Sequence, residues 1–244
     1  GVRAIIKSCS EIERARASGY KTHHPQIPPI VYTADIFDRE SLESVTAQQI
    51  AVNLGSPDMI DQYGEAYQAA PQNRSQPPRR EITLRINPGF GHGHSQKTNT
   101  GGEQSKHGIW FQDLGDSLER AARKNLRVTG IHVHIGSGTD YQHLAEVCGA
   151  VESFALQAGP QVISISAGGG LPGAYKQGDS EINIEEYYNL WNATRNRLTE
   201  AFAHPVSLEI EPGRYLVAEA GYLVAEIPVS YTHLRAHEPL RYLV

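Results

Sequence analysis

Leu208 to Gly221 reads LEIEPGRYLVAEAG, an apolar run carrying two carboxylates and breaking at Glu211, Pro212, Gly213 and Arg214. In a strand, residues two apart share a face, so Glu209 and Glu211 point the same way, opposite Leu208 and Ile210. A carboxylate inside a fold is costly without a partner, and a protonated ring nitrogen would be one. Arg214, just past the turn, suits a phosphate because a guanidinium grips two oxygens at once. An internal Glu–Arg ion pair accounts for Glu209 alone and less well for the set. The chemistry on offer is the binding of a flat, phosphorylated ring that carries a nitrogen.

Three other stretches end apolar runs with unusual residues. SAGGGLPG, Ser166 to Gly173, places Gly168, Gly169 and Gly170 after a buried strand, where bare backbone amides can approach an anion. A plain tight turn is the competing reading. GIHVHIGSG, Gly130 to Gly138, sets His132 and His134 on one face and follows them with Gly136, Ser137 and Gly138. His-x-His on a strand also suits zinc, and His92, His94 and His107 could add ligands, which leaves a metal-dependent hydrolase open. Against it, no acidic residue is placed as a further ligand, and a metal leaves the glycines and Arg214 unexplained. His134 stacked flat on a cofactor ring needs no metal; His132 reads as a satisfied core histidine. In LRINPGFGHGHSQKTNTGGEQSKHG, Arg85 alternates with Leu84 and Ile86 and so faces inward, toward an interior acid such as Glu209 or toward a cofactor. Lys106 reads by default as a solvated charge.

The elements that must position these residues alternate. IVYTA, IAVNLG, EITLRIN, VTGIHVHIG, QVISISAGGG and VSLEIEPG read as strands. Between them lie helical patterns such as DRESLESVTAQQ, SPDMIDQYGEAY with Ser56 at the cap and Pro57 in the first turn, DLGDSLERAARKNL, YQHLAEVCGAVESFALQAG and IEEYYNLWNATRNRLTEAF. APQNRSQPPRR is a polar connector. Strands alternating with helices predict an α/β fold with a parallel sheet. A (β/α)8-type barrel is expected rather than an open doubly wound sheet, because the special residues follow four different strands instead of one switch point.

Composition bounds the partners. A formal net charge of −5 with no basic run argues against nucleic acid. No apolar stretch reaches the roughly 20 residues of a membrane span. Cys9 and Cys148 have neither disulfide nor metal spacing, which fits a reducing cytoplasm. No signal peptide is visible. The first residue is Gly1 rather than Met, so a preceding piece is expected.

RINPGFGHGHSQKTNTGGEQSKHG, HVHIGSG, SAGGGLPG and EIEPGRYLVA, in that order, closely resemble the diaminopimelate decarboxylases, which are pyridoxal-phosphate enzymes with an alanine-racemase-like barrel, alongside ornithine and arginine decarboxylases. The resemblance runs from about Ser8 to about Glu226, and the NPG, TGG and SKHG pieces point to the diaminopimelate branch. It implies pyridoxal 5'-phosphate as cofactor, with His134 on the ring and Ser137 toward the phosphate. Gly168, Gly169 and Gly170 would hold the phosphate, Glu211 the ring nitrogen, and Pro212 and Gly213 the corner. Arg214 would reach the phosphate and the substrate, Arg85 would lie near Glu211 or the ring, and Lys106 near a subunit boundary. His134 and Glu211 are then the catalytic pair. The implied reaction is decarboxylation of meso-2,6-diaminopimelate to L-lysine through a Schiff base, in a cytoplasmic homodimer without a metal. An ornithine or arginine type is the alternative within the family.

The chain departs from that pattern at both ends. Lys7 is not the family's Schiff-base lysine, Ile5 stands where the family has an aspartate, and the carboxyl-terminal β domain, with its substrate-selecting residues, has no counterpart here. PVSYTHLRAHEPLRYLV, Pro228 to Val244, has no family equivalent and reads as a vector-derived tail, a divergent linker being the alternative. The expected organisation is therefore a partial cofactor-binding barrel domain over residues 1–227, incomplete at the amino terminus, and a non-native tail over 228–244. By itself such a fragment is expected to be inactive. A non-catalytic relative that binds a partner would show decay of the cofactor residues, which Gly168 to Gly170 and Glu211 to Arg214 do not show.

Overall fold

The structure, a computed structural model, describes residues 2–21, 28–70, 79–90, 102, 105–134, 141–173, 182–221 and 224. Its strands are β1 (Ala4–Ile6), β2 (Ile30–Tyr32), β3 (Ala51–Leu54), β4 (Glu81–Asn87), β5 (Ile109–Trp110), β6 (Arg127–His132), β7 (Ser164–Ser166) and β8 (Ser207–Glu209). Helices α1 (Cys9–Ala17), α2 (Arg39–Ala47), α3 (Pro57–Ala69), α4 (Leu114–Arg123), α5 (Tyr141–Ala158), α6 (Ile184–Phe202) and α7 (Gly213–Val217) lie between and after them. The helices start where side chains satisfy the first free amides. Ser56 Oγ accepts from Met59 N at 3.2 Å with Pro57 in the first turn, and Asp38 and Ser41 cap α2 reciprocally. Asn183 accepts from Glu185 N and Glu186 N at the start of α6.

All strand pairs are parallel, in the order β1-β2-β3-β4-β6-β7-β8, with β5 pairing β4 off that path. In a flat sheet, six spacings of about 4.8 Å would hold β1 and β8 roughly 29 Å apart. Yet Arg3, just before β1, meets Glu209, the last residue of β8, at 2.9 Å. The sheet therefore curls as a barrel wall does, which decides against the open doubly wound alternative. It also corrects the expected partner of Glu209, which is Arg3 and not Arg85. Ala4–Ile6, where the sequence lacks the family's aspartate, takes a regular place beside β2.

Register sorts the two faces. Leu84, Ile131 and Ile165 form one row across β4, β6 and β7, all fully buried, and pack with Val147, Val151, Trp191 and Leu198 of α5 and α6. Each such side chain contributes about 1.5–3 kcal/mol by leaving water. The next row points the other way and is polar: Arg85, His132, Ser166 and Glu209 are consecutive partners across β4, β6, β7 and β8. An interior row of this kind at the carboxyl ends of the strands marks the functional mouth of a barrel.

Candidate functional site

Three strands carry their pairing past their ends, and this assembles the site. Val133 N donates to Ser166 O at 3.1 Å, Ala167 N to Glu209 O at 2.9 Å, and Glu211 N to Gly168 O at 2.8 Å. The exits of β6, β7 and β8 thus run side by side, which brings His134, the triple-glycine turn and Glu211 together. Gly168 has φ +64°, and a Cβ on Gly169 would stand 2.7 Å from His134 Cε1 and 3.2 Å from Glu211 O. Only glycine permits that approach at these two positions. A Cβ on Gly173 would stand 3.9 Å from Tyr215 Cα, so the end of the glycine stretch also flanks the Glu-Pro-Gly-Arg corner.

Glu211 sits at the centre. His132 Nε2 lies 3.0 Å from its Oε1, and His134 Nδ1 lies 3.8 Å from its Oε2. Burial alone would raise the carboxyl, but the His132 hydrogen bond and the nearby His134 outweigh it and hold Glu211 well below the usual carboxylate range. Burial pushes the His132 imidazole down, and its bond to Glu211 does not reverse this. The pair is therefore an ionised acid and a neutral donor. His134 Nδ1 accepts from Gly169 N at 3.1 Å, which leaves the imidazole partly exposed at the mouth.

Arg85 is 8% exposed and donates to Asp35 Oδ1 at 3.1 Å. Burial lowers its guanidinium, opposed by Asp35 and Glu211, so it sits within the field of the central acid. His107 Nδ1 lies 2.9 Å from the same Asp35 oxygen, though not aligned as a hydrogen bond. Burial would raise Asp35, but His107 and Arg85 prevail and lower it. Neither Asp35 nor His107 was assigned to this partnership from the sequence. Asp35 does carry a signal, a charge three residues past a wholly buried strand.

Of the three glycine amides, that of Gly168 donates to Ser166 Oγ at 3.2 Å and that of Gly169 to His134. Gly170 has φ +97° and continues the turn. Pro212 caps the short helix α7, and Gly213 and Arg214 begin it, with Arg214 and Lys106 exposed. Ser137, His92 and His94 lie outside the described residues. Among the described residues, no group of three or more His, Cys, Asp or Glu could hold a metal ion, and no helix is long and apolar enough to cross a membrane.

Acid should weaken this arrangement. Folded His132 takes its proton at lower pH than the unfolded chain, whose histidines titrate near about 6.5. Below that pH the unfolded state binds more protons, so stability falls as pH falls. Glu211 and Asp35 add a loss of the same sign further into acid. His204, raised by the carbonyls of Pro160 and Pro205, acts in the opposite direction but is exposed and so contributes weakly. The thermal midpoint is expected to drop between about pH 7.5 and about pH 5.5, and His132→Gln should remove most of that drop. A midpoint flat over this range in the unmodified chain would contradict a neutral, buried His132.

The residues also test well for a flat, phosphorylated, nitrogen-bearing cofactor. Glu211 is ionised and mostly buried; its Oε1 accepts from His132 at 3.0 Å, while His134 Nδ1 stands 3.8 Å from its Oε2. A cationic ring N–H is the complement such an oxygen needs. Beside it lie a planar imidazole and a stretch of bare backbone that a side chain would fill.

Comparisons with known proteins agree. Residues 1–218 match the family described as pyridoxal-dependent decarboxylase, pyridoxal binding domain. The diaminopimelate decarboxylase of Escherichia coli K12 is 51% identical over 229 residues, covering 93% of this chain and 51% of the relative. That of Streptomyces coelicolor is 49% identical over 227 residues, covering 93% and 49%. A crystal structure of diaminopimelate decarboxylase superposes with a TM-score of 0.80 at 51% identity, over 89% of this chain and 49% of that one. The Helicobacter pylori enzyme, solved with L-lysine, shares the fold with a TM-score of 0.76 at 22% identity, over 89% of this chain and 52% of that one. The chain spans about half the length of the curated relatives it matches. By the extent of these matches and by the site they enclose, this chain belongs to the pyridoxal-dependent decarboxylases and carries their pyridoxal-binding domain.

Proposed function

We propose that the full-length protein carrying this segment removes carbon dioxide from meso-2,6-diaminopimelate to give L-lysine, the last step of lysine biosynthesis, and that this segment holds pyridoxal 5'-phosphate. The observation that carries the reading is the meeting of an ionised Glu211, the His134 ring and the Gly168 turn at adjoining strand ends. The half-length identity to diaminopimelate decarboxylases supports this substrate over ornithine or arginine. When bound, the cofactor supplies an electron sink for the carbanion left by loss of carbon dioxide.

The chain's own residues do the rest. Glu211 would keep a proton on the ring nitrogen by offering a fixed negative charge at Oε2. His134 would lie against the ring of the bound cofactor, its bond from Gly169 N setting the angle of the imidazole. The glycine turn of Gly168, Gly169 and Gly170, with Arg214 and Ser137, would hold the phosphate, Pro212 and Gly213 would shape the corner, and Arg214 would also meet the substrate. Arg85, tied to Asp35, supports Glu211 by charge. In this reading the full-length protein works as a homodimer in the cytoplasm. A hydrolase using His132 and His134 as zinc ligands fits less well, since His132 Nε2 and His134 Nδ1 are already engaged.

Titrating the chain with pyridoxal 5'-phosphate is expected to give saturable binding, seen as a change in the cofactor's near-ultraviolet absorbance. The full-length protein is expected to release carbon dioxide from meso-diaminopimelate in preference to ornithine or arginine. Absence of binding would sink the cofactor reading, and a preference for ornithine would sink the substrate.

A further inference from the structure

His132 carries a cost that packing does not explain. It is 1% exposed, and while Nε2 reaches Glu211 Oε1, Nδ1 has no hydrogen-bond partner among the described residues. A buried nitrogen left unpaired costs about 1–3 kcal/mol, so a side chain serving only to fill the barrel would be apolar. The charged and titratable groups facing it are Glu211, Arg85 and His134. An ionised carboxylate can only accept, so the His132 proton lies on Nε2. The Arg85 guanidinium opposes a second proton on Nδ1.

The other oxygen of Glu211 is set differently. His134 Nδ1 accepts from the Gly169 amide and stands 3.8 Å from Oε2, beyond hydrogen-bond distance. Of the two histidines, only His132 lies within hydrogen-bond distance of the acid. We propose that His132 is a positioning residue for Glu211: a neutral N–H donor that fixes Oε1 and leaves the whole charge of the carboxylate to a cationic ring nitrogen at Oε2. A lysine or arginine at this place would hold the carboxylate equally well but cancel its charge. A neutral imidazole holds it without cancelling it. What meets Oε2 rests on the cofactor reading above; the tautomer of His132 does not.

Two amides separate the ring nitrogens as a test. Gln places its amide nitrogen near the Nε2 position and keeps the donor, whereas Asn places it near Nδ1 and loses contact with Glu211. In the chain labelled with nitrogen-15 histidine, long-range proton–nitrogen spectra should show His132 as the Nε2–H tautomer, neutral from about pH 6 to about pH 8. The His132 signal is identified by its absence in His132→Gln. With pyridoxal 5'-phosphate labelled at its ring nitrogen, the unmodified chain and His132→Gln should show a protonated nitrogen at about pH 8. In His132→Asn, Glu211 becomes the better base, and the nitrogen signal should move toward the neutral-ring position. An Nδ1–H or doubly protonated His132 would overturn the proposal, as would the same ring-nitrogen signal in Asn and Gln variants. If the unmodified chain fails to bind the cofactor, the cofactor reading falls, and the tautomer alone decides whether His132 holds Glu211.

Discussion

Glu211→Gln in the full-length protein is expected to lower kcat by about 10²–10³-fold, the scale on which one fixed electrostatic contact acts in a transition state. Gln keeps the shape of Glu and can still accept the His132 proton at Oε1, at the 3.0 Å observed for the acid. At the other end it offers an N–H where Oε2 offered a charged acceptor. It can no longer hold a proton on a ring nitrogen, so the positive charge that draws electrons from the reacting carbon is lost. Cofactor affinity should fall much less, because the glycine turn and Arg214 are untouched. The 244-residue chain reports that half of the prediction by titration with pyridoxal 5'-phosphate. Equal losses in affinity and kcat would mean that Glu211 serves only to bind, and the electron-sink role would be wrong.

The parts of this site that could be read from sequence are those set by neighbours in the chain. EITLRIN alternates because one face of β4 packs under helices and the other lines the barrel, and Ser56-Pro57 announces α3 because a first turn needs those groups. Three glycines after a buried strand are assigned to a bound anion; that Gly169 lies against His134 and Glu211 is not part of that reading. What escaped depends on residues far apart in the chain. Asp35 meets Arg85 across 50 positions, and Arg3 meets Glu209 across 206. No local period records such pairs, so the guess that joined Arg85 to Glu209 chose the wrong acid. The two-residue strand β5 is too short to alternate and falls between the stretches whose patterns could be read. Its place is fixed by Ile86 and Asn87 pairing with Ile109 and Trp110, and by Asn87 bonding to Gly102. His132 was read as a satisfied core histidine. It is in the core, but among the described residues only one of its nitrogens finds a partner, and the bond it makes touches the acid on which the chemistry depends.

Gly168→Ala is expected to destabilise the chain by about 2–5 kcal/mol, from an alanine in the left-handed region and from overpacking. The backbone there has φ +64°, and a Cβ would overlap the carbonyl oxygen of Val133 and stand 3.0 Å from His134 Cβ. These neighbours are backbone or short side chain, so relief requires β6 and β7 to separate at their exits. That separation breaks the Val133 N to Ser166 O bond of 3.1 Å and the Gly169 N to His134 Nδ1 bond, and moves His134 away from the glycine turn and Glu211. A loss of this size is a large part of the 5–15 kcal/mol, roughly, that holds most domains folded. Cofactor binding should therefore vanish even under conditions where the variant stays folded. Gly213→Ala is the control, since nothing lies within 4 Å of a Cβ there and its φ is not positive. It should shift the urea midpoint little. A Gly168→Ala chain with unchanged midpoint and affinity would mean that the strand exits are not packed against one another, and the site would lose the contact that assembles it.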